Sequence, residues 1–156
     1  MRFDRRRAPD FALVLAAVLI ALSMLVWGTL DSLDTHIWYS QETARHLLEA
    51  LTPHQRDVYR RTEFLDLGFL TVYSLLLLRA GRRVLHRGVG PVVVVLIPGA
   101  FDLMETVTIL HLLFAQNPGA SIPPWLGAVT ALKWTSGALV LLLLIGRRVG
   151  RSAAPR

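Results

Sequence analysis

Residues 124–146 read PWLGAVTALKWTSGALVLLLLIG, and Lys133 is the only charged residue among them. A helix needs about 20 predominantly apolar residues to cross the ~30 Å hydrocarbon core of a bilayer, so this stretch predicts a transmembrane helix. Lys133 is also the only lysine in the chain. Because ionisable side chains at membrane depth are costly and usually mark a functional site, Lys133 is the first candidate functional residue.

Three further stretches have the same apolar character, at about residues 11–30, 60–79 and 91–115. Together they explain why 53% of the chain is hydrophobic and why its mean hydropathy is +0.47. The connections that follow the second and third stretches are short, which favours antiparallel neighbours. The predicted fold is therefore an all-α integral membrane protein, a single domain over residues 1–156 in which four transmembrane helices form an antiparallel bundle.

The first stretch follows a basic start, as a signal peptide would. Its apolar run of about twenty residues is longer than the 7–15 typical of a signal peptide, and no small-residue cleavage site follows it. We therefore expect this stretch to be retained as the first span.

Residues 31–59 are more polar and form a predicted outer helical loop. Ser40 is typical of a helix N-cap, and an apolar face of alanine and leucine follows it. Thr52, Pro53 and Gln55 match a capping box with proline at the first helical position. This second helix is expected to continue without a break into the second span. Three roles stay open for the first, amphipathic piece: a helix on the membrane surface, a lid on the bundle, or a short ordered loop helix.

The arginines predict the orientation of the chain. With both termini inside, twelve of the sixteen arginines lie on the cytoplasmic side and four lie outside. The positive-inside rule therefore places the N- and C-termini in the cytoplasm, and it explains the net charge of +6 without a nucleic-acid partner. The preference for arginine over lysine is typical of high-GC bacteria, so the predicted location is the bacterial cytoplasmic (inner) membrane. An aromatic belt at the outer boundary is predicted from Trp27, Trp38, Tyr39 and Trp125.

The predicted spans also contain acidic residues at depth. At about 1.5 Å per residue, Asp66, Glu105 and Lys133 each lie roughly 20 Å from the cytoplasmic end of their spans, and Asp102 lies about 16 Å from it. Asp102 and Glu105 share one helix face, and Asp66 shares its face with Tyr73. The candidates for binding a ligand or a proton are therefore Asp102, Glu105, Lys133, Asp66 and Tyr73.

The predicted cluster is too acidic to be neutral, because one lysine cannot compensate three carboxylates. We expect at least one of Asp102 and Glu105 to hold a proton at neutral pH. A lysine can also lose its proton when it is buried, whereas an arginine in practice cannot. The alternative is structural, since buried polar groups can also serve to specify how helices pack.

Several function classes lack support in the sequence. There is no cysteine, which excludes disulfides, thiol chemistry and cysteine-ligated metals. No nucleotide-binding, hydrolase or metalloprotease motif occurs, so no cofactor and no metal are expected. The expected partners are membrane lipid and a small amphiphilic ligand, with a homo-oligomer or a membrane-complex partner as an alternative.

The leading hypothesis is a four-helix membrane protein that binds a small amphiphile or lipid, or that conducts protons or a solute. A first alternative is a non-catalytic partner or assembly subunit of a membrane complex, in which the charges hold the bundle together. A second is an intramembrane lipid-modifying enzyme with Glu105 or Asp102 as its acid/base. The lack of a catalytic motif favours a role that is not enzymatic.

Overall fold

The computed structural model describes residues 8–27, 32–33, 36–84 and 89–152. Within these ranges the chain forms five α-helices and one short 3₁₀ helix. Their bounds are α1 Ala8–Trp27, α2 Gln41–Ala50, α3 Pro53–Val84, α4 Val89–Phe114, the 3₁₀ helix Pro118–Ser121 and α5 Leu126–Ser152. The predicted all-helical class is confirmed.

Three of these helices contain segments long and apolar enough to cross a membrane: Pro53–Arg83, Val92–Phe114 and Leu126–Gly146. They correspond to the second, third and fourth predicted spans. The apolar helix α1 is 20 residues long and covers most of the predicted first span, whose last residues, 28–30, lie outside the described ranges. A fourth transmembrane helix, and with it the four-helix bundle, stays a prediction.

Both predicted helix starts in the loop are confirmed by their capping hydrogen bonds. Ser40 Oγ accepts from the backbone amide of Thr43 at 3.0 Å and so caps α2. At the start of α3, Thr52 Oγ1 accepts from the Gln55 amide at 3.3 Å, and Gln55 Oε1 accepts from the Thr52 amide at 2.9 Å. α3 then runs unbroken for 32 residues, so loop and second predicted span share one helix.

Helices α3 and α4 are antiparallel neighbours. Along α3 from Asp66 to Tyr73, the hydrogen-bonded partners on α4 run backwards from Thr106 to Asp102. α5 returns along α4 after the 3₁₀ helix, and α1 packs against α3. The three spanning-length helices therefore form a layer in which α4 contacts both α3 and α5.

The apolar core lies mainly at one end of this layer, which we call the α2 end because α2 covers it. Here α2, the start of α3, the end of α4 and the start of α5 enclose one cluster. Its buried members are Leu33, Tyr39, Ala44, Leu48, Tyr59, Ile109, Leu112, Leu113, Ile122 and Leu126. A second, smaller cluster of Val95, Val140 and Leu144 lies towards the other end. The buried polar side chains of α4 and α5 fall between the two clusters.

Two arginines join elements at the α2 end: Arg45 joins α2 to the 3₁₀ helix, and Arg60 joins α3 to the end of α4. Arg45 Nε donates to the carbonyl oxygen of Gly119 at 3.2 Å, and Arg60 Nε donates to that of Leu113 at 3.2 Å. Carbonyls in the last turn of a helix lack partners within it, so the Arg60 contact satisfies one such group of α4. Among the three roles open for α2, the structure supports the lid.

Much of the remaining surface of the long helices is apolar and exposed. Large exposed side chains include Val93, Leu103, Met104, Val107, Leu139, Leu141, Leu142 and Ile145. Monomeric soluble proteins rarely expose contiguous apolar surface on this scale. Such a surface is suited to contact with lipid chains.

Candidate functional site

The site begins with one buried face of α4. Asp102, Glu105 and Thr106 follow one another at spacings of three and one residues, and all three are buried. Residues three and four apart lie on the same side of a helix, so this short sequence directs two carboxyl groups and a hydroxyl group the same way. The predicted common face of Asp102 and Glu105 is thus directed into the protein.

Lys133 on α5 bridges these two carboxylates. Its Nζ lies 2.9 Å from Asp102 Oδ1 and 2.6 Å from Glu105 Oε2. The lysine side chain is 13% exposed and that of Glu105 is 0% exposed, so both ion pairs are largely removed from solvent. Lys133, Asp102 and Glu105, whose depths were estimated separately from the sequence, are therefore in direct contact.

Tyr73 connects α3 to this group. Its phenol donates a 2.8 Å hydrogen bond to Asp102 Oδ2, the oxygen that faces away from the lysine contact. Asp66, two turns earlier on α3, accepts a 2.9 Å hydrogen bond from Thr106 Oγ1. All five predicted candidate residues therefore lie in adjoining hydrogen bonds and ion pairs across α3, α4 and α5. We refer to Asp102, Glu105, Lys133, Tyr73 and Asp66 as the polar cluster.

Glu105 has two further hydroxyl neighbours. Thr130 Oγ1, which lies on α5 one turn before Lys133, hydrogen-bonds Glu105 Oε1 and also lies 3.2 Å from the carbonyl oxygen of Leu126. The phenol of Tyr39 lies 3.4 Å from the same Glu105 oxygen. Oε2 therefore contacts the lysine, and Oε1 contacts two hydroxyl groups.

The position of Tyr39 corrects a prediction. Tyr39 was expected in an aromatic belt at the boundary, but it is only 4% exposed and belongs to the core at the α2 end. Its neighbour Trp38 is 62% exposed, and Trp125 is also exposed, as an interfacial belt would require. A tyrosine near a boundary was assigned by its type, whereas the fold of the preceding segment turns this one inward. The side chain of Trp27 lies outside the described residues.

Two more buried polar residues, outside the five predicted ones, were not predicted as site members. Glu63 on α3 is 1% exposed, and it lies three residues before Asp66 on the stripe that also carries Tyr59 and Tyr73. The same helical spacing that linked Asp66 to Tyr73 would have identified it. It was missed because it lies close to the predicted start of the span, where acids are commonly exposed. The second is Thr130 on α5, which is fully buried and whose hydroxyl contacts Glu105.

One groove between the long helices is apolar and is not lined by the carboxyl groups of the polar cluster. A groove of about 360 Å³ lies between α3 and α4. Its lining residues are Leu67, Leu70, Thr71, Ser74, Leu96, Gly99, Ala100 and Leu103. None of the carboxyl groups lines it, so a molecule in this groove would contact mainly hydrocarbon.

His111 is relevant to metal binding, and Trp134 is relevant to a cation–π contact with Lys133. His111 on α4 is exposed, and within the described ranges no group of three or more histidine and acidic side chains is arranged to hold a metal ion. The ammonium of Lys133 already occupies the position between the two carboxylates. Trp134 is exposed, and its ring centre lies 5.7 Å from Lys133 Nζ, within the range of a cation–π contact.

Comparison of the chain with protein-family models, curated proteins and solved structures finds no match. The polar cluster itself is therefore the basis for any functional conclusion.

Proposed function

We propose that this chain is a four-span protein of the bacterial cytoplasmic membrane whose polar cluster binds and releases protons. The bridge from Lys133 Nζ to Asp102 and Glu105 at 2.9 and 2.6 Å carries the proposal. The proposal adds α1, the first helix in the chain, to the three spanning-length helices as a transmembrane helix. It also places the α2 end on the outer side of the membrane. Twelve arginines on the opposite side against four on this side support that orientation.

The charge of the bridge supports proton binding. Two carboxylates and one ammonium sum to a single negative charge, and Asp66, which bonds Thr106 beside Glu105, adds a further acid. An uncompensated charge in a low-dielectric interior is costly, and taking up one proton removes it. A proton is therefore expected to enter and leave this group of residues as conditions change.

The hydrogen bonds offer a route for such a proton without an open cavity. Tyr73 contacts Asp102, Lys133 contacts both Asp102 and Glu105, and Glu105 contacts Thr130. Thr130 has one hydroxyl hydrogen and two acceptors within reach. When Thr130 donates that hydrogen to the Leu126 carbonyl oxygen, a protonated Glu105 Oε1 can donate its own hydrogen to Thr130 Oγ1.

A second function is favoured by the placement of the bonds. Each of these bonds joins α4 to a neighbouring helix: Asp102 and Thr106 bond residues of α3, and Glu105 bonds Lys133 of α5. This is expected if the polar side chains fix the packing of the helices. This is the assembly or partner-subunit alternative, and buried polar groups do serve such a role in some proteins. It predicts the same contacts but no change of protonation.

The substitution Glu105→Gln distinguishes the two functions. The full chain is reconstituted in lipid bilayers, and the infrared carboxyl and carboxylate bands are recorded across a pH series. In the proton-binding model, Glu105→Gln removes a titrating carboxyl band while the protein stays abundant and folded. The matched control is Glu42→Gln on α2, where the side chain is exposed.

The opposite results would contradict proton binding. If no buried carboxyl titrates in the unaltered protein, the cluster has no proton-binding role. If Glu105→Gln instead depletes the protein from the membrane without changing any titration, the structural role is the correct one.

A further inference from the structure

The segment before α2 places one inward side chain directly over the polar cluster. Ile37 and Trp38 are strongly exposed, whereas Tyr39, which follows them, is buried in the core at the α2 end. The chain then enters α2 at its Ser40 N-cap. The segment Ile37–Ser40 therefore lies across the surface and inserts a single ring.

The backbone of Tyr39 is held by a close approach to α5. Gly127 lies in the first turn of α5, and a Cβ atom at this position would overlap the carbonyl oxygen of Tyr39. Because that atom is backbone, no side-chain rotation relieves the overlap. A second contact lies two residues further along, where Gln41 Nε2 donates to the Ile122 carbonyl oxygen at 2.6 Å.

The ring of Tyr39 fills the space between the surface and Glu105. It belongs to the same buried cluster as Ile109, Leu112 and Leu126. Its hydroxyl reaches to 3.4 Å from Glu105 Oε1, a long contact that adds little energy compared with the packing of the ring. The phenol therefore acts here mainly by occupying volume.

We propose that Tyr39 is a plug, a side chain that separates Glu105 from water at the α2 end. Gly127, which has no side chain, leaves the space that the Tyr39 backbone occupies. This inference rests on the proton-binding function proposed above. Water reaches Glu105 from this side only when the segment Ile37–Ser40 opens locally, and such opening costs free energy. The charged and titratable groups around Tyr39 and Glu105 are His36, whose ring lies edge-on to that of Tyr39 with centroids 6.5 Å apart, Lys133 on α5, Asp102 on α4, and Asp66 and Glu63 on one face of α3.

Glycine substitutions on α5 test the plug without changing Tyr39 itself. The full chain in bilayer nanodiscs is transferred to D₂O, and the rate at which the protonated Glu105 carboxyl band shifts is followed by infrared spectroscopy. Gly127→Ala should displace the Tyr39 backbone and speed this exchange about tenfold or more, as expected when an opening equilibrium shifts by 1.4 kcal/mol or more. Gly137→Ala is the matched control, because no atom lies within 4 Å of its added Cβ. It should leave the exchange rate unchanged.

Side-chain substitutions test the ring directly. Tyr39→Ala should speed exchange like Gly127→Ala, whereas Tyr39→Phe keeps the ring and should exchange at nearly the rate of the unaltered protein. Trp38→Ala, which removes the exposed neighbouring ring, should have no effect. Thermal unfolding of each variant is measured alongside, so that loss of the fold is not mistaken for loss of the plug.

Two results would overturn the plug. Unchanged exchange in folded Gly127→Ala and Tyr39→Ala would show that Tyr39 does not limit access. Slower exchange in Tyr39→Phe would show that the hydroxyl passes the proton instead of blocking it. Both differ from failure of the proton-binding proposal, in which the unaltered protein would have no titrating Glu105 band to follow.

Discussion

Lys133 Nζ lies 2.6 Å from Glu105 Oε2, so the only lysine of the chain joins α5 to a fully buried carboxylate on α4. The same ammonium contacts Asp102 at 2.9 Å. A buried charge that loses its partner is strongly destabilising, even where the pair itself contributes little net stability. The lysine therefore supplies one cation to two buried carboxylates of α4.

Removing the ammonium should destabilise the protein in a pH-dependent way. In Lys133→Met, Asp102 and Glu105 face each other without a cation, and about 3 kcal/mol of stability should be lost while both are ionised. Protonation of Glu105 at low pH removes one of the two facing charges, so the loss should shrink in acid and grow as the pH rises. Unfolding of the variant in detergent at a series of pH values measures this. Adding Glu105→Gln should restore part of the stability at neutral pH, and an equal loss at all pH values would contradict the charge argument.

Removing the Tyr73 hydroxyl should affect both stability and the cluster. Tyr73→Phe deletes the 2.8 Å hydrogen bond to Asp102 and should cost about 1.5–3 kcal/mol, the usual contribution of a hydrogen bond to a charged group. Tyr59→Phe is the control, because its hydroxyl accepts from the Leu33 amide and lies in the core at the α2 end. Both variants should unfold more easily, but only Tyr73→Phe should alter the infrared carboxyl bands. The same band change in both would mean that the effect is not local to Asp102.

Two glycines of the long helices should respond oppositely to alanine. Alanine is the better helix former by about 1 kcal/mol, so Gly137→Ala, with open space around its Cβ, should be neutral or stabilising. At Gly81 the added Cβ would lie 2.8 Å from Cγ2 of Val95, a stiff and buried side chain. Gly81→Ala should therefore be less stable than Gly137→Ala by about 1 kcal/mol or more, because overpacking offsets the helix gain. The unfolding midpoints of the two variants are compared. Equal midpoints would show that α3 and α4 move apart around Gly81 and Val95 at little cost in stability.

The orientation of the chain can be tested with single cysteines, because the natural sequence has none. Glu42→Cys is at an exposed position of α2, and Ser152→Cys lies at the end of α5. A membrane-impermeant maleimide applied to intact bacterial cells should label position 42 and reach position 152 only after lysis. Labelling in the reverse order would invert the proposed topology, and labelling of both in intact cells would mean that the chain does not divide the two positions across a bilayer.

Local sequence patterns were sufficient for most of the helices. Capping residues at Ser40 and Thr52 and long apolar runs act within one or two turns or along one segment, so they do not depend on the rest of the fold. The same is true of the common face of Asp102 and Glu105, which follows from helical periodicity alone. The helix start at Pro53 was predicted from its capping box, and the second span, predicted from residue 60, lies within that helix because polar residues extend it beyond its apolar part.

The partners of the site residues could not be predicted in this way. Counting along each predicted span brought Asp66, Glu105 and Lys133 to similar depths, but depth alone does not specify which side chains meet. The pairing of Tyr73 with Asp102, and of Asp66 with Thr106, depends on how α3 is rotated against α4. That rotation is set by many weak contacts between helices, and no local pattern encodes it.

By itself, the sequence determined an all-helical chain with apolar segments of spanning length and an unusual lysine and two acids within them, because hydropathy and helical spacing are local properties. Only the tertiary structure decided that Lys133 contacts both carboxylates, that Glu63 is buried, and that Tyr39 turns inward over Glu105. These outcomes depend on residues far apart in the chain being packed together, and the close approach of Gly127 to the Tyr39 backbone is one contact that makes the last of them possible.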